Sequence, residues 1–258
     1  MRVSVILPVY NKAKYIAVCL RSLLRQTHDE IDILVFDDGS RDDSRGIIDT
    51  FRDRRISVFG DGKNHGVSYA RNRLIDAART KVVVLQDADD FSHYDRIGTQ
   101  LHAMMKFCAP RVRCRKLYQW EMERREREWL NGPLYPVGPP KAQTPTSGVF
   151  CSEMFIRHPM VLFREDLRVC EERMWVSDMR VVWGGELNIA KRLYGKRVII
   201  GKDAMSSWVY SEKHSADVKH ARVTYKKRRS LRMPDLAKIR ETADGVKRTL
   251  IDGTFWCE

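Results

Sequence analysis

The sequence lacks any uninterrupted apolar run of the roughly 18 residues that a helix needs to cross a bilayer. Its first residues also lack the long apolar segment and small-residue cleavage pattern of a signal peptide. We therefore expect a cytoplasmic protein, or one that binds peripherally at the inner membrane face. Its six cysteines form no CxxC pair and no regular spacing. This pattern argues against a disulfide framework and a zinc ribbon, and it favours a reducing compartment.

Several nucleotide-binding and nucleic-acid-binding motifs are also missing. Neither GxGxxG nor GxxxxGK[ST] occurs, which argues against a dinucleotide dehydrogenase and a P-loop ATPase. A nucleotidyltransferase needs a glycine-rich loop after its first strand, and that position here reads Pro8-Val9-Tyr10-Asn11-Lys12. No helix-turn-helix, zinc-finger or RNA-binding signature is present either.

The composition describes a large and strongly basic chain. It has 258 residues, 43% of them hydrophobic, which suffices for one large domain with an appendage. Its 47 Lys and Arg residues outnumber 34 Asp and Glu residues, giving a net charge of +13, so the surface should attract anions. The densest basic stretch is 219–232. An anionic membrane surface or the phosphates of DNA are the partners that this stretch suggests.

The first ninety residues alternate short β-branched runs with helical patterns, which predicts an α/β fold with a mostly parallel sheet. Each strand run is almost continuously apolar, as expected of a sheet covered on both faces. The predicted strands are Val3–Val9, Ile31–Phe36, Ile56–Phe59 and Val82–Leu85, and the predicted helices are Tyr15–Thr27 (with Asn11 as a cap), Ser40–Asp53, Val67–Arg79 and Tyr94–Phe107.

The pattern changes beyond residue 107. Apolar residues alternate with charged ones from Val112 to Met122, which predicts a long half-buried strand, and Asn131-Gly132 favours a hairpin turn after it. Residues 138–148 are predicted to be a loop. We further predict a strand at Met160–Phe163, a helix at Leu187–Leu193 and a basic helical C-terminal extension.

Polar clusters follow three of the predicted strands. They are Pro8–Asn11, Asp37–Ser40 and Asp87–Asp90. Ligands of an open parallel sheet bind beyond the carboxyl ends of its strands. Several carboxylates at one edge repel each other unless a cation joins them, and an Asp-x-Asp triplet such as Asp87-Ala88-Asp89 suits Mn²⁺ or Mg²⁺. The other interpretation is that Asp89 or Asp90 caps the next helix.

Five motifs follow one another along the N-terminal segment. They are SVILPVYN from Ser4, LRSLLRQ from Leu20, VFDDGS from Val35, NHGVS from Asn64 with Ala70-Arg71-Asn72, and LQDADD from Leu85. In these motifs the segment resembles the family 2 glycosyltransferases, enzymes with a GT-A Rossmann-like fold that use nucleotide-sugar donors. The resemblance is strong over residues 1–100 and weak over 155–215. It implies a GT-A domain at 1–215, with a nucleotide-sugar-binding half (1–100) and an acceptor half (101–215), followed by the basic extension 216–258.

Donor-binding roles follow from this resemblance residue by residue. Asp38 would hold the base or ribose, Asp87 would approach the ribose, and Asp89 would bind the metal that bridges the diphosphate. Arg71 would face the phosphates, although an ion pair on its own helix is the other interpretation. Asp37 is open to a structural role in the Gly39 turn. Pro8, Val9 and Tyr10 would line the base pocket, and Asn11 and Ala88 are the remaining nucleotide-sugar-binding positions.

The resemblance also implies a catalytic base. In this family an acidic pair opens a helix in the second half, and its aspartate takes the proton of the acceptor hydroxyl. Counting back from Arg192-Leu193 places Glu186 there, with Asp178 as the rival base. His214, in a segment that resembles the family's late diphosphate-binding region, is open to a role as a metal ligand or as a hydrogen-bond donor to phosphate, or to an exposed loop position.

The function that the resemblance implies is metal-assisted transfer of a sugar, with inversion, from a nucleotide sugar to an acceptor hydroxyl, and a UDP-sugar is the favoured donor. A glycan or glycolipid is the expected acceptor. A modified base of DNA stays open as the acceptor, and so does a non-catalytic basic domain that binds nucleic acid. A glycan acceptor and a DNA acceptor can be distinguished by experiment, since sugar transfer to duplex DNA would fall steeply as the salt concentration rises.

Overall fold

The computed structural model of the protein describes residues 1–117, 150–159, 161–167, 171–196, 236–253 and 255. The predicted hairpin at Asn131-Gly132, the loop 138–148, the basic stretch 219–232 and His214 lie outside the described residues. Among the described residues, none of the helices has the length and hydropathy needed to span a membrane.

The first half of the chain forms the parallel part of the sheet, as predicted. Strand β1 (Val3–Val9) pairs in parallel with β2 (Ile31–Asp37) on one side and with β4 (Val82–Leu85) on the other, and β3 (Ile56–Phe59) pairs in parallel with β2. The helices between them begin and end within a few residues of the predicted limits. The elements are β1 (Val3–Val9), α1 (Ala13–Leu24), β2 (Ile31–Asp37), α2 (Ser44–Asp49), β3 (Ile56–Phe59), α3 (Val67–Ala77) and β4 (Val82–Leu85).

The second half extends the same sheet with strands of mixed direction. The full order is β3-β2-β1-β4-β7-β6-β8-β5, with β7 antiparallel to both β4 and β6, and β8 parallel to β6. Together the elements confirm the α/β fold with a mostly parallel first half and flanking helices. The later elements are β5 (Phe91–Ser92), α4 (Arg96–Lys106), β6 (Arg111–Leu117), β7 (Met154–Ile156), α5 (Glu171–Trp183), β8 (Leu187–Gly195) and α6 (Leu236–Asp252).

One hydrophobic core joins both halves of the sheet to the helices. It runs from the fully buried residues of β1 and β2 to Trp175 and Met179 of α5. Ala243 and Leu250 of α6 belong to the same core and are each 1% exposed. The apolar face of α6 is therefore packed against the rest of the protein.

Three local predictions are wrong. Residues 187–193 form a strand, because Leu187 and Ile189 turn inward between exposed neighbours and pair with β6. Residues 161–163 have no regular structure, and the neighbouring strand is β7 instead. Asn11 does not cap α1; its side chain accepts a hydrogen bond from the Arg41 amide at 2.8 Å.

Candidate active site

The three polar clusters meet at one edge of the sheet because β2, β1 and β4 are adjacent and parallel. The Asp38 amide donates to the Val9 carbonyl at 2.8 Å, which joins the ends of β2 and β1. The Lys12 ammonium lies 2.7 Å from an Asp89 carboxylate oxygen and joins the end of β1 to the end of β4. The sequence thus predicted correctly which segments converge.

Asp37 and Asp38 organise the loops beside this edge. Asp37 accepts a hydrogen bond from the Ser40 amide at 3.0 Å, the structural role foreseen for it. Asp38 is 3% exposed and accepts from the amides of His65 and Gly66 at 2.8 and 2.9 Å. Burial raises the pKa of Asp38, although these two amides oppose the shift.

The other residues expected to bind the nucleotide sugar differ in their exposure to solvent. Tyr10 is 39% exposed at the end of β1 and presents an open aromatic surface. Pro8 is partly exposed, whereas Val9 and Ala88 are buried at 1% and 2%. Asn11 is exposed with φ of 51° and binds the 40–41 turn. Only Pro8, Tyr10 and Asn11 of this group offer surface to a ligand.

Arg71 of α3 lies in the interior, at 5% exposure. Its guanidinium is 3.3 Å from Asp87 and 3.0 Å from Glu171, and it lies over the rings of Phe150 and Phe163. Burial acts to lower the pKa of Arg71, but the surrounding carboxylates outweigh burial and raise it. Arg71 therefore ties α3, β4 and α5 together directly beside the acidic edge.

The carboxylates that follow β4 have different partners. Asp87 and Asp89 are 24% and 22% exposed at the side chain, whereas Asp90 is 2% exposed and accepts from the buried Tyr194 hydroxyl at 2.9 Å. Burial acts to raise the pKa of Asp87, but the charges of Arg71 and Lys196 lower it. Asp87 and Asp89 are thus each paired with a cation of the chain itself, Arg71 and Lys12 respectively.

This donor set fits a divalent cation. Ligand atoms of Asp87, Asp90 and Cys151 lie within 4.8 Å of one another. Burial raises the pKa of the Cys151 thiol well above its ordinary value, so it stays protonated and is a poor ligand. The remaining donors are carboxylate oxygens, which Mg²⁺ and Mn²⁺ prefer.

An acidic pair that the sequence analysis did not identify opens α5. Glu171 is buried at 6% exposure and paired with Arg71, whereas Glu172 is partly exposed. No hydrogen bond or ion pair joins Glu172 to another described residue. Its charge nevertheless raises the pKa of Glu171, its neighbour in the chain, and that of Arg71. Helical spacing of Met174, Trp175, Met179 and Val182 behind Glu171-Glu172 was the signal available in the sequence.

Burial raises the pKa of Glu171 to about 7, with Arg71 opposing the shift. The protonated form is therefore favoured by folding, and the stability this contributes should be lost as the pH rises from about 4.5 through 7. We expect the melting temperature of the wild type to fall relative to Glu171→Gln across this interval. A thermal melt of both proteins at half-unit pH steps tests this, and a constant difference would contradict it.

Glu186 and Asp178, the two residues proposed from the sequence as the catalytic base, have different neighbours from Glu171 and Glu172. Glu186 stands before β8, not at the start of a helix, and its side chain contacts three arginines: Arg111, Arg113 and Arg180. Burial acts to raise the pKa of Glu186, but Arg113 and the other donors lower it. Asp178 lies on the buried side of α5 at 5% exposure.

Several known proteins are similar to this chain in sequence. Residues 4–162, more than half of the chain, match the family model of Glycosyl transferase family 2. The glycosyltransferase GlyG of Streptococcus pneumoniae is 35% identical over 99 residues, 38% of this chain and 33% of GlyG. The putative teichuronic acid biosynthesis glycosyltransferase TuaG of Bacillus subtilis is 36% identical over 110 residues, 42% of this chain and 44% of TuaG. The match therefore spans less than half of either relative.

Solved structures share the fold at low sequence identity. TarS of S. aureus (residues 1–349), in complex with UDP-GlcNAc, has a TM-score of 0.64 and 21% identity, over 80% of this chain and 61% of that one. The mannosyltransferase PcManGT of Pyrobaculum calidifontis, in complex with GDP-Man and Mn²⁺, has a TM-score of 0.63 and 18% identity, over 95% and 69%. These likenesses establish the fold.

Proposed function

The chain belongs to glycosyl transferase family 2, and from that premise we propose that it transfers a sugar from a nucleotide-sugar donor to an acceptor hydroxyl with inversion. The observation that carries the proposal is the convergence of Asp38, Asp87 and Asp89 at one edge of the sheet, beside Arg71. A UDP-sugar is the favoured donor. TarS binds UDP-GlcNAc and PcManGT binds GDP-Man. These two complexes support a nucleotide-sugar donor for this chain but do not identify its nucleobase.

Asp87 and Asp89 would hold the Mn²⁺ or Mg²⁺ ion, because their side chains reach solvent; Asp90 belongs to the same group of ligand atoms as Asp87 but accepts a hydrogen bond from Tyr194. When bound, the cation neutralises charge on the departing diphosphate. Tyr10 would contact the nucleobase, since its ring is open at the end of β1. Arg71 keeps Asp87 in position from behind. His214 stays a proposed further ligand from the sequence.

Glu172 is the best-placed group to act as the base, ahead of Glu186 and Asp178. The acceptor oxygen forms its bond to the anomeric carbon as the bond from that carbon to the diphosphate breaks, and the hydroxyl proton passes to a carboxylate. Glu171 is engaged by Arg71 and Glu186 by three arginines. Glu172 has no such partner among the described residues, so its oxygens are available.

Lys12 should compete with the metal, since its ammonium contacts the Asp89 carboxylate at 2.7 Å. We expect Lys12→Met to tighten Mn²⁺ binding about fivefold, because removing a partly exposed ion pair frees roughly 1 kcal/mol. Calorimetric titration with Mn²⁺ alone measures this. Lys14→Met, an exposed lysine on the same helix, is the matched control and should leave the affinity unchanged. Equal Mn²⁺ affinities in the two variants would show that Lys12 does not compete with the metal ion.

A glycan or glycolipid is the proposed acceptor, supported by the similarity to TuaG, whose name refers to teichuronic acid biosynthesis. DNA stays the alternative raised by the basic composition. To test the function, the protein is incubated with UDP-, GDP- and dTDP-sugars and Mn²⁺, and released nucleotide is measured with glycan, glycolipid or duplex DNA added. Release from at least one donor, stimulated by one acceptor, is expected. No release from any donor would refute the proposal, and stimulation by DNA alone would refute the glycan acceptor.

A further inference from the structure

A cavity outside the acidic site lies against the parallel half of the sheet. It encloses about 670 Å³ and is lined by alternate residues of β1, β2 and β3, as far as Phe59 at the end of β3, and by the segment that joins α3 to β4. Its cationic side chains all precede a strand, and because β1 is seven residues long, ~20 Å separate that end of the strands from the acidic edge. This cavity is therefore not part of the proposed donor site. Its volume suits a ligand of the size of a nucleotide or a lipid headgroup.

The walls of this cavity are strongly basic. Five cationic side chains line it, and Asp32 is the one acidic side chain among its described lining residues. The buried hydroxyls of Ser4 and Thr80, 2.9 Å apart, lie at its base. The five cationic residues are Arg2, Arg54, Arg55, Arg79 and Lys81.

Acidic side chains pair with two of these cations. Asp53 holds Arg55 in place with contacts of 2.9 and 3.0 Å, and Asp32 approaches Arg2 at 3.4 Å. Arg54 and Arg79 are exposed, and neither has an ion pair or hydrogen bond with another described residue. Like charges that converge on one cavity repel each other, and a multivalent anion relieves that repulsion.

We propose that this cavity binds a phosphate group, with Arg54 and Arg79 as the side chains that contact it. Guanidinium groups match phosphate oxygens in pairs, which favours phosphate over a simple halide. Free phosphate and the phosphate of an anionic lipid headgroup share this chemistry. The site is separate from the donor site and does not depend on the proposed function.

The test compares two double variants that remove the same charge. Arg54→Gln/Arg79→Gln alters the cavity, whereas Arg45→Gln/Arg164→Gln removes two exposed arginines that pair with Asp49 and Asp166 elsewhere. One arm titrates inorganic diphosphate by calorimetry without divalent metal. The other measures co-sedimentation with phosphatidylglycerol vesicles, using phosphatidylcholine vesicles as the blank. Arg54→Lys/Arg79→Lys keeps the charge and serves as the folding-neutral variant.

At least a tenfold loss of affinity is expected in the cavity variant, with the control variant unchanged and the lysine variant retaining most binding. Loss in the diphosphate arm alone identifies a soluble phosphate, and loss in the vesicle arm identifies a lipid headgroup. Equal losses in both double variants would attribute binding to net charge and overturn the proposal. Wild-type protein that binds neither probe would overturn it as well.

Discussion

Replacing Glu172 by glutamine is expected to lower kcat for sugar transfer by roughly 10²- to 10⁴-fold, the usual contribution of a general base. Glutamine keeps the size and the hydrogen-bonding reach of the side chain but cannot take the proton. Because Glu172 is partly exposed and makes no ion pair with a described residue, the fold should be unaffected. The affinity for nucleotide should stay within about twofold, since the residue acts on the acceptor.

The rival bases supply the comparison for this prediction. Glu186→Gln and Asp178→Asn are expected to reduce kcat far less than Glu172→Gln, when all three are assayed with the same donor and corrected for folded fraction by thermal melting. A larger kcat loss in either rival, in a protein that still melts cooperatively and binds nucleotide, would move the base to that residue. Glu172 would then have no catalytic role.

Replacing Glu153 by glutamine is expected to lower the free energy of unfolding by about 3 to 5 kcal/mol, as for other buried ion pairs that lose one partner. Glu153 is fully buried and accepts from Arg111 at 2.6 Å and from Arg113 at 2.7 Å. Without its charge, two buried guanidinium groups would depend on Glu186 alone. The ion pairs of Glu153 with Arg111 and Arg113 link β6 to the residue before β7. The second half of the sheet should therefore be the first part to unfold.

Urea unfolding followed by circular dichroism measures this effect. Asp166→Asn is the matched control, because its pair with Arg164 is exposed at 39% and 46% and should contribute no more than about 1 kcal/mol. A loss below 1 kcal/mol in Glu153→Gln would show that the buried network does not stabilise the sheet.

The parallel half of the fold was predictable from sequence because its strands are almost continuously apolar. Val3–Val9 and Val82–Leu85 are nearly or fully buried along their whole length, so local composition and final environment agree. β8 was not predictable in the same way. Leu187, Ala190 and Leu193 fall at helical spacing, and the strand is chosen by pairing with β6, more than seventy residues earlier.

The residues of the candidate site were likewise predictable from the sequence only in part. Residues that follow β1, β2 and β4 were found because strand ends mark ligand sites in such sheets. Arg71 was expected at the phosphates, but its buried pair with Glu171 depends on α5, a hundred residues further along the chain. The glutamate pair that opens α5 was missed because the search relied on a helix at 187–193 that does not form. The helical spacing of the apolar residues that follow this pair could have been recognised in the sequence.

Binding of UDP to the wild type and to Asp89→Asn, with and without Mn²⁺, tests most directly whether the acidic edge holds a cation that holds a diphosphate. We expect Mn²⁺ to tighten UDP binding by at least about tenfold in the wild type and in Asp43→Asn, an exposed aspartate outside the site. In Asp89→Asn the increase should vanish while metal-free binding remains. The same Mn²⁺-dependent gain in Asp89→Asn, or no UDP binding to the wild type, would contradict the account.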